Sequence, residues 1–226
     1  MTNLKANHID YYYLDGDQRR YILRDLNVEF NTGVFYAILG QSGSGKTTLL
    51  SLLSALDVPK AGTITLEDKT IESIGYEAYR RNKIGIIFQN YNLVPHLTAH
   101  ENILLAMSIT NNQLPTDANA VAYNLLDYIG ITKTKADRLV TKLSGGEQQR
   151  VAIARALSTN VDIIIADEPS GNLDEAMEKE IIDIFKRLAH EHNKCVIVAT
   201  HATEIAQEAD VSYYLRKGIL TEVEDK

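Results

Sequence analysis

The chain has 226 residues, of which 45% are hydrophobic and 23% charged, with a formal net charge of −7; this length fits one large α/β domain or two small ones. The acidic balance disfavours a broad nucleic-acid surface, which needs clustered Lys and Arg, so we expect no nucleic-acid partner. No apolar run approaches the roughly 20 residues that span a bilayer, and the N-terminus lacks a signal-peptide core. We therefore expect a cytoplasmic protein, not inserted in the membrane, that reaches any membrane only through another chain.

The first part of the chain is predicted to be rich in strands, and a helix begins there at Lys46. The middle, roughly 90–159, is predicted to be helical: Thr98 and Glu101 match a capping box, and 116–129 carries apolar residues at helical spacing. Apolar runs predict strands at 22–29, 34–39, 62–66, 84–88, 161–166, 194–200 and 211–216. Two further helices are predicted at 174–192 and 202–209. This alternation predicts an α/β fold with a largely parallel sheet, covered on both faces and interrupted by a helical insert.

The most specific pattern lies at residues 40–47, GQSGSGKT, which fits G-x-x-x-x-G-K-[ST]. An apolar strand precedes it and a helix follows, the context in which such a loop wraps its N–H groups around phosphate. Lys46 supplies a positive charge for the β- and γ-phosphates, and the Thr47 hydroxyl suits Mg²⁺. The candidate binding residues here are Gly40, Ser42, Gly43, Ser44, Gly45, Lys46, Thr47 and Thr48.

Two carboxylates, Asp167 and Glu168, end the apolar strand predicted at 161–166. Because side chains alternate along a strand, these neighbouring acids are expected to diverge. We assign Asp167 to Mg²⁺ and Glu168 to the general base that acts on an attacking water. A surface strand end with solvated acids is the alternative, and the phosphate-binding pattern elsewhere in the chain favours the catalytic interpretation.

A second informative pattern surrounds Ser144. Ser144 and Glu147 match a capping box at the start of a helix. Gly145 and Gly146 each cost that helix roughly 1 kcal/mol relative to Ala, which indicates that something must approach the backbone closely. The helix N-terminus is therefore predicted to be a second anion site. Since one chain already has a phosphate loop for one nucleotide, we expect this terminus to complete the site of another subunit.

Two single residues are weaker candidates for the site. His201 and Gln89 each follow a predicted strand, at the edge where ligands bind to parallel sheets. His201 is a candidate sensor of a γ-phosphate, although a lone histidine is more often structural, and Gln89 is a candidate contact for Mg²⁺ or water. Cys195 lies within a predicted strand and is expected to be a buried, inert thiol.

In this order, these pieces resemble the nucleotide-binding subunit of ATP-binding cassette (ABC) transporters over nearly the whole chain. Tyr13 looks like the aromatic residue that stacks on adenine, with Tyr11 and Tyr12 as alternatives. The remaining matches are 40–47 with the Walker A loop, Gln89 with the Q-loop, 143–148 with the family signature, 163–168 with Walker B, Ser170-Gly171-Asn172-Leu173-Asp174 with the D-loop, and His201 with the switch histidine.

The resemblance implies the fold, cofactors and mechanism. It implies a single ABC ATPase domain over 1–226: a P-loop NTPase core of about 1–89 and 160–226, an inserted α-helical subdomain of about 90–159, and an N-terminal antiparallel β region. It implies ATP and Mg²⁺ as cofactors, with Glu168, His201 and Gln89 as catalytic residues and Thr47, Gln89 and Asp167 at the metal. Two subunits would enclose two ATP molecules, each held by the Walker A loop of one and by Ser144, Gly145, Gly146 and Glu147 of the other.

The sequences of residues 90–98 and 171–174 are similar to those of one subgroup of this family. That subgroup includes ATPases of lipoprotein release, macrolide export and peptide-antibiotic resistance, whose membrane partners are permeases of the FtsX and MacB types. It implies that permease helices dock near 89–105 and hold the subunit at the inner face of the cell membrane. A non-transport ATPase of the same superfamily is the alternative; the chain has one cassette and no sustained heptads, which disfavours it.

Overall fold

The computed structural model describes residues 2–16, 18–171 and 173–223. Its strands are β1 (Asn3–Asp15), β2 (Gln18–Asn31), β3 (Phe35–Leu39), β4 (Ala61–Leu66), β5 (Lys69–Thr70), β6 (Ile84–Ile87), β7 (Ile163–Asp167), β8 (Cys195–Thr200), β9 (Val211–Arg216) and β10 (Ile219–Glu222). They form two sheets. The smaller has the order β2-β1-β4-β5 and is antiparallel. The larger has the order β10-β9-β3-β8-β7-β6 and is parallel except for β10.

The helices are α1 (Lys46–Leu53), α2 (Ile71–Ile74), α3 (Tyr76–Asn82), α4 (Ala99–Ile109), α5 (Ala118–Tyr128), α6 (Lys133–Ala136), α7 (Gly145–Ser158), α8 (Glu175–His190) and α9 (Thr203–Glu208). Four of them, α4 to α7, lie between β6 and β7, where the helical insert is predicted. Within the described ranges, no helix has both the length and the apolar character needed to cross a membrane.

Both faces of the larger sheet are buried, as the sequence predicts. In β3, Phe35 and Ala37 pack into a cluster with residues of α4, α5, α7 and α8. Tyr36 and Ile38, which point the other way, pack into a second cluster shared with α1 and the antiparallel sheet. Because side chains alternate along a strand, a short run of four apolar residues fills two cores at once.

Cys195 begins β8 and belongs to the second cluster, where it is fully buried. Burial raises the pKa of its thiol to about 12, because the thiolate is poorly solvated there. The predicted buried thiol is confirmed.

The predicted fold class, an α/β core with a helical insert and an N-terminal antiparallel β region, is confirmed. The capping box at Thr98 is present: its Oγ1 accepts from the N–H of Glu101 at 3.1 Å, and a Glu101 carboxylate oxygen accepts from the N–H of Thr98 at 2.8 Å. The sequence interpretation gave no strand before residue 22, whereas β1 occupies Asn3–Asp15. Its register is broken by irregularities near His8, whose φ is 51°, so the alternation that marks a strand is interrupted.

Candidate functional site

The candidate site lies where three parallel strands end side by side. In the register of the larger sheet, Leu39 pairs with Thr200, and Asp167 pairs with Ala199. The residues that follow these strands therefore meet at one edge, the usual position for a ligand in a parallel sheet. They are Gly40, Glu168 and His201, three of the predicted site residues.

The loop between β3 and α1 is shaped by its glycines. Gly45, which immediately precedes α1, has a φ of 108°, in the region that favours glycine. At Gly40 a side chain would not fit, because a Cβ there would lie 2.7 Å from the carbonyl oxygen of Leu215. The loop folds back on Lys46, whose Nζ donates to the carbonyl oxygen of Gly40 at 2.7 Å.

Lys46, Glu168 and His201 form a continuous polar chain. The Lys46 Nζ lies 3.3 Å from Oε1 of Glu168, and the His201 Nδ1 lies 2.8 Å from Oε2 of the same carboxylate. The side chains of Lys46 and Glu168 are only 7% and 14% exposed, so this ion pair is shielded from water and salt. The sequence analysis predicted each of the three residues separately; the direct contacts join residues far apart in sequence and have no local signal.

The divergence of the two acids has a different cause from the one predicted. Strand β7 ends at Asp167, and Glu168 has a left-handed φ of 46°. Strand alternation therefore does not apply to Glu168. A backbone turn after the strand, and not the pleat, directs its carboxylate toward Lys46 and His201.

Asp167 is suited to a metal ion. Its Oδ1 is buried and has no hydrogen-bond partner among the described residues. Burial raises the pKa of Asp167, and the neighbouring Thr47 hydroxyl opposes part of that increase. The described residues contain no group of three or more His, Cys, Asp or Glu side chains arranged for a metal. One carboxylate with one hydroxyl fits Mg²⁺, which usually completes its shell with water and substrate phosphates.

A cavity of about 520 Å³ opens above the loop. It is large enough for a triphosphate and brings most of the predicted residues together. Its lining consists of Ile22, Ser42, Gly43, Gly45, Lys46, Thr47, Thr48, Gln89, Glu168 and His201. Ile22 was not predicted as a site residue, because nothing in the local sequence indicates that its apolar side chain lines the cavity. Gly171 of the predicted D-loop lies beside Gln89, and Asn172 falls outside the described residues.

The three tyrosines at the end of β1 have different environments. Tyr11 is 5% exposed and its hydroxyl donates to Asp57, so its ring is committed to the core. The Tyr12 ring packs on Tyr21 and carries the Arg19 guanidinium 4.8 Å from its centre. Tyr13 is 55% exposed and touches Tyr11 through an edge contact, which leaves it the most accessible of the three. None of them lines the cavity.

The Ser144 terminus lies apart from this cavity. Its capping box is present: the Ser144 Oγ accepts from the N–H of Glu147 at 3.3 Å, and a Glu147 carboxylate oxygen accepts from the N–H of Ser144 at 2.8 Å. The Lys135 ammonium, 2.7 Å from Glu147, lowers the pKa of that carboxyl group. Ser144 and Gly145 are exposed. These predicted residues therefore do not line the cavity that holds most of the other predicted site residues.

The close approach predicted at the two glycines has a partner within the chain. A Cβ at Gly146 would collide with the Met177 sulfur of α8, and a Cβ at Gly145 would lie 3.1 Å from the Tyr91 hydroxyl. Gly146 thus packs closely against Met177 of α8, a contact between helices that the sequence analysis did not foresee. Asp174 of the predicted D-loop caps α8 by accepting from the N–H of Met177 at 2.9 Å.

Comparison with known proteins gives consistent matches. A family model described as ABC transporter matches residues 23–171. The chain is 42% identical to the uncharacterized ABC transporter ATP-binding protein YclH of Bacillus subtilis, over 98% of this chain and 96% of that protein. It is 40% identical to the macrolide export ATP-binding/permease protein MacB of Bdellovibrio bacteriovorus, over 92% of this chain but 32% of that protein.

A solved structure has the same fold. The bacterial ABC transporter cassette MJ0796, determined as a dimer, superposes with a TM-score of 0.88 at 33% identity, covering 99% of this chain and 100% of that one. The same cassette has been solved as a dimer in a post-hydrolysis state bound to ADP and Pi.

Proposed function

This chain belongs to the ABC transporter family as an ATP-binding subunit with ATPase activity, and we propose that two copies close around two ATP molecules to drive a membrane permease of the FtsX or MacB type. Each ATP is held by the 40–47 loop of one copy and by Ser144, Gly145 and Gly146 of the other. The chemistry is hydrolysis of the bond to the γ-phosphate, and closing and reopening of the pair supplies the mechanical work.

One observation carries this proposal. The exposed N-terminus of α7 has a dipole that favours an anion, yet its residues do not line the cavity of their own chain. Another copy can present a triphosphate to it. The dimeric state in which MJ0796 was solved supports the pairing of two copies.

We assign the residues in and around the cavity as follows. Lys46 balances the charge of the β- and γ-phosphates, and Tyr13 stacks on adenine. Glu168 accepts the proton of the attacking water, and His201 orients that carboxylate through the Nδ1 contact. Without ATP, the Lys46 ammonium pairs with the Glu168 carboxylate. When ATP binds, its phosphates draw the ammonium away, and the carboxylate becomes free to accept a proton from water. Thr47, Asp167 and Gln89 would hold Mg²⁺, which when bound neutralises developing charge on the phosphates.

The permease contact is assigned to residues 89–105 of the helical region. This region, about 90–159, is proposed to act as a subdomain of the single cassette, with a core of about 1–89 and 160–226. Val94, Leu105 and the nearby Ile109 are 37%, 41% and 55% exposed, so an apolar surface is available on α4 and the loop before it. One relative, MacB of Bdellovibrio bacteriovorus, is named as an ATP-binding/permease protein, which supports a permease as the partner. The subunit would be held at the inner face of the membrane by this contact.

Purification of the tagged chain from detergent-solubilised membranes tests the proposal. We expect a membrane protein with several spanning segments to copurify and to raise the ATPase rate. Leu105→Glu should lose that protein while ATP binding is unchanged. Ile219→Glu is the matched control, since Ile219 is equally apolar and 56% exposed but lies on β10, at the far edge of the sheet. Copurification of nucleic acid or ribosomes instead would overturn the proposal.

A further inference from the structure

The loop that follows Gln89 has a backbone conformation that its residues do not favour. Tyr91 and Asn92 are consecutive, and both have left-handed φ angles, 61° and 49°. This region is unfavourable for a residue with a Cβ atom, and Tyr is a bulkier occupant than most. The loop therefore depends on contacts from outside itself to keep this shape.

Arg155, on α7, supplies such contacts. Its guanidinium donates to the carbonyl oxygen of Tyr91 at 2.9 Å and also to the carbonyl oxygen of Asn92. These two carbonyls are its hydrogen-bond acceptors among the described residues. The planar guanidinium presents two N–H groups side by side and so matches two neighbouring carbonyls, whereas a lysine ammonium is a single point of attachment. Burial of this side chain lowers the pKa of Arg155.

Two further contacts hold the same stretch of chain along α7. In β6, which leads into Gln89, a Cβ at Gly85 would lie 2.8 Å from the carbonyl oxygen of Ala156. Within the loop itself, the Tyr91 hydroxyl lies beside Gly145. The segment from Gly85 to Tyr91 thus runs along α7 from Ala156 to Gly145, which is about three helical turns.

We propose that Arg155 is a positioning residue for ATP hydrolysis, fixing the 89–92 loop to α7 so that Gln89 in its own cavity and the Ser144 terminus move as one unit. The inference rests on the proposed function, because it takes Ser144 to serve the ATP of a second copy. Arg155 itself touches neither the cavity nor Ser144. It acts by holding the backbone that carries Gln89.

Arg155→Lys tests the proposal with little change in volume or charge. Arg150→Lys is the matched control, because Arg150 lies on the same helix and pairs with Glu180 at the surface. Three quantities are measured on the full chain: the ATP Kd by calorimetry, kcat for ATP hydrolysis, and hydrogen exchange of the amides of 90–94 without nucleotide. If Arg155→Lys does not fold, Arg155→Gln is measured by the same three methods, since Gln keeps an amide donor and good helix propensity.

For Arg155→Lys we expect kcat to fall roughly 10–100-fold, as for a displaced catalytic group, with Kd within about twofold of wild type. Exchange at 90–94 should become faster, and Arg150→Lys should change none of the three. An unchanged kcat, or a lower kcat without faster exchange, would overturn the proposal, as would equal losses in Arg150→Lys. Wild-type protein without ATPase activity would instead count against the proposed function, while the exchange comparison would still report on the Arg155 contact.

Discussion

At the scale of single residues, Glu168 links the other two members of the polar chain. Its carboxylate is shared between Lys46 and His201, and its left-handed backbone aims it there. The sequence predicted the identity of all three residues, because each follows a recognisable strand or motif. It could not predict that they touch, since the contacts join parts of the chain more than thirty residues apart.

Replacing Glu168 by Gln should lower ATP turnover by about 10²–10⁴-fold, the usual contribution of a positioned general base. ATP binding should survive, because Lys46, Thr47 and Asp167 remain. Steady-state hydrolysis and calorimetry measure the two quantities. Hydrolysis by Glu168→Gln at the wild-type rate would show that Glu168 is not the base.

Asp167 gives a prediction in pH. Burial raises its folded-state pKa, so the native protein binds a proton more tightly than the unfolded chain does. Stability is then lost as pH rises from the unfolded pKa, about 3.9, through the higher folded pKa, and the cost persists at neutral pH. Asp167→Asn removes this cost, so the variant should melt at a higher temperature than wild type at pH 7.

Thermal unfolding without nucleotide or Mg²⁺, at a series of pH values from 4 to 8, measures this effect. The advantage of Asp167→Asn should shrink as pH falls toward 4, because the folded carboxyl group becomes protonated at a higher pH than the unfolded one, whose pKa is about 3.9. Asp127→Asn, at an exposed position on α5, is the control and should change melting little at any pH. A variant that melts lower than wild type at pH 7 would contradict the assignment of a buried, poorly paired carboxylate.

At the scale of elements, the helices that begin with local signals were the most predictable. Each of the capping boxes, at Thr98 and at Ser144, is a pattern of four consecutive residues, and both are present. Strand β1 was missed because its alternation is broken near His8. The role of Gly146 was missed for another reason: its neighbour, Met177, is on a different helix, and no local pattern announces a contact between helices.

Ser144→Arg tests the assignment of the α7 terminus. A large cation at this exposed position should stop hydrolysis by blocking closure of the pair. The affinity of the monomer for ATP should stay within about twofold of wild type, because the cavity is formed by other elements. Asn124→Arg, which adds the same charge at an exposed position on α5, is the control for both measurements. If Ser144→Arg weakened ATP binding by the monomer, Ser144 would belong to its own chain's site.

At the scale of the whole molecule, the two proposed parts of the nucleotide site lie on different elements. The cavity lies at the carboxyl ends of β3, β7 and β8, and the Ser144 terminus lies on the helical side. The sequence predicted this division from the presence of two anion-seeking motifs in one chain. The geometry of closure depends on a second copy and cannot be derived from one chain.

Glu168→Gln in the presence of ATP should form a stable dimer, because ATP that is not hydrolysed keeps the pair closed. Wild-type protein should elute mainly as a monomer from size-exclusion chromatography under the same conditions. The buffer needs physiological salt, since each copy carries a net charge of −7 and the copies repel each other when salt is low. Glu168→Gln combined with Ser144→Arg should remain monomeric. An inactive Glu168→Gln protein that stays monomeric at saturating ATP would contradict dimerisation by the isolated chain.

The position of Cys195 has a practical consequence for measuring how two copies of the chain close around ATP. It is the one cysteine in the sequence, it is fully buried, and burial raises the pKa of its thiol to about 12, so very little of the thiolate is present at pH 7. A fluorophore or spin label that reacts with thiolates will therefore not modify Cys195 in the folded protein. A cysteine introduced at an exposed position, such as Asn124, can be labelled selectively while Cys195 stays in place. Distances between two labelled copies then become measurable without altering the core.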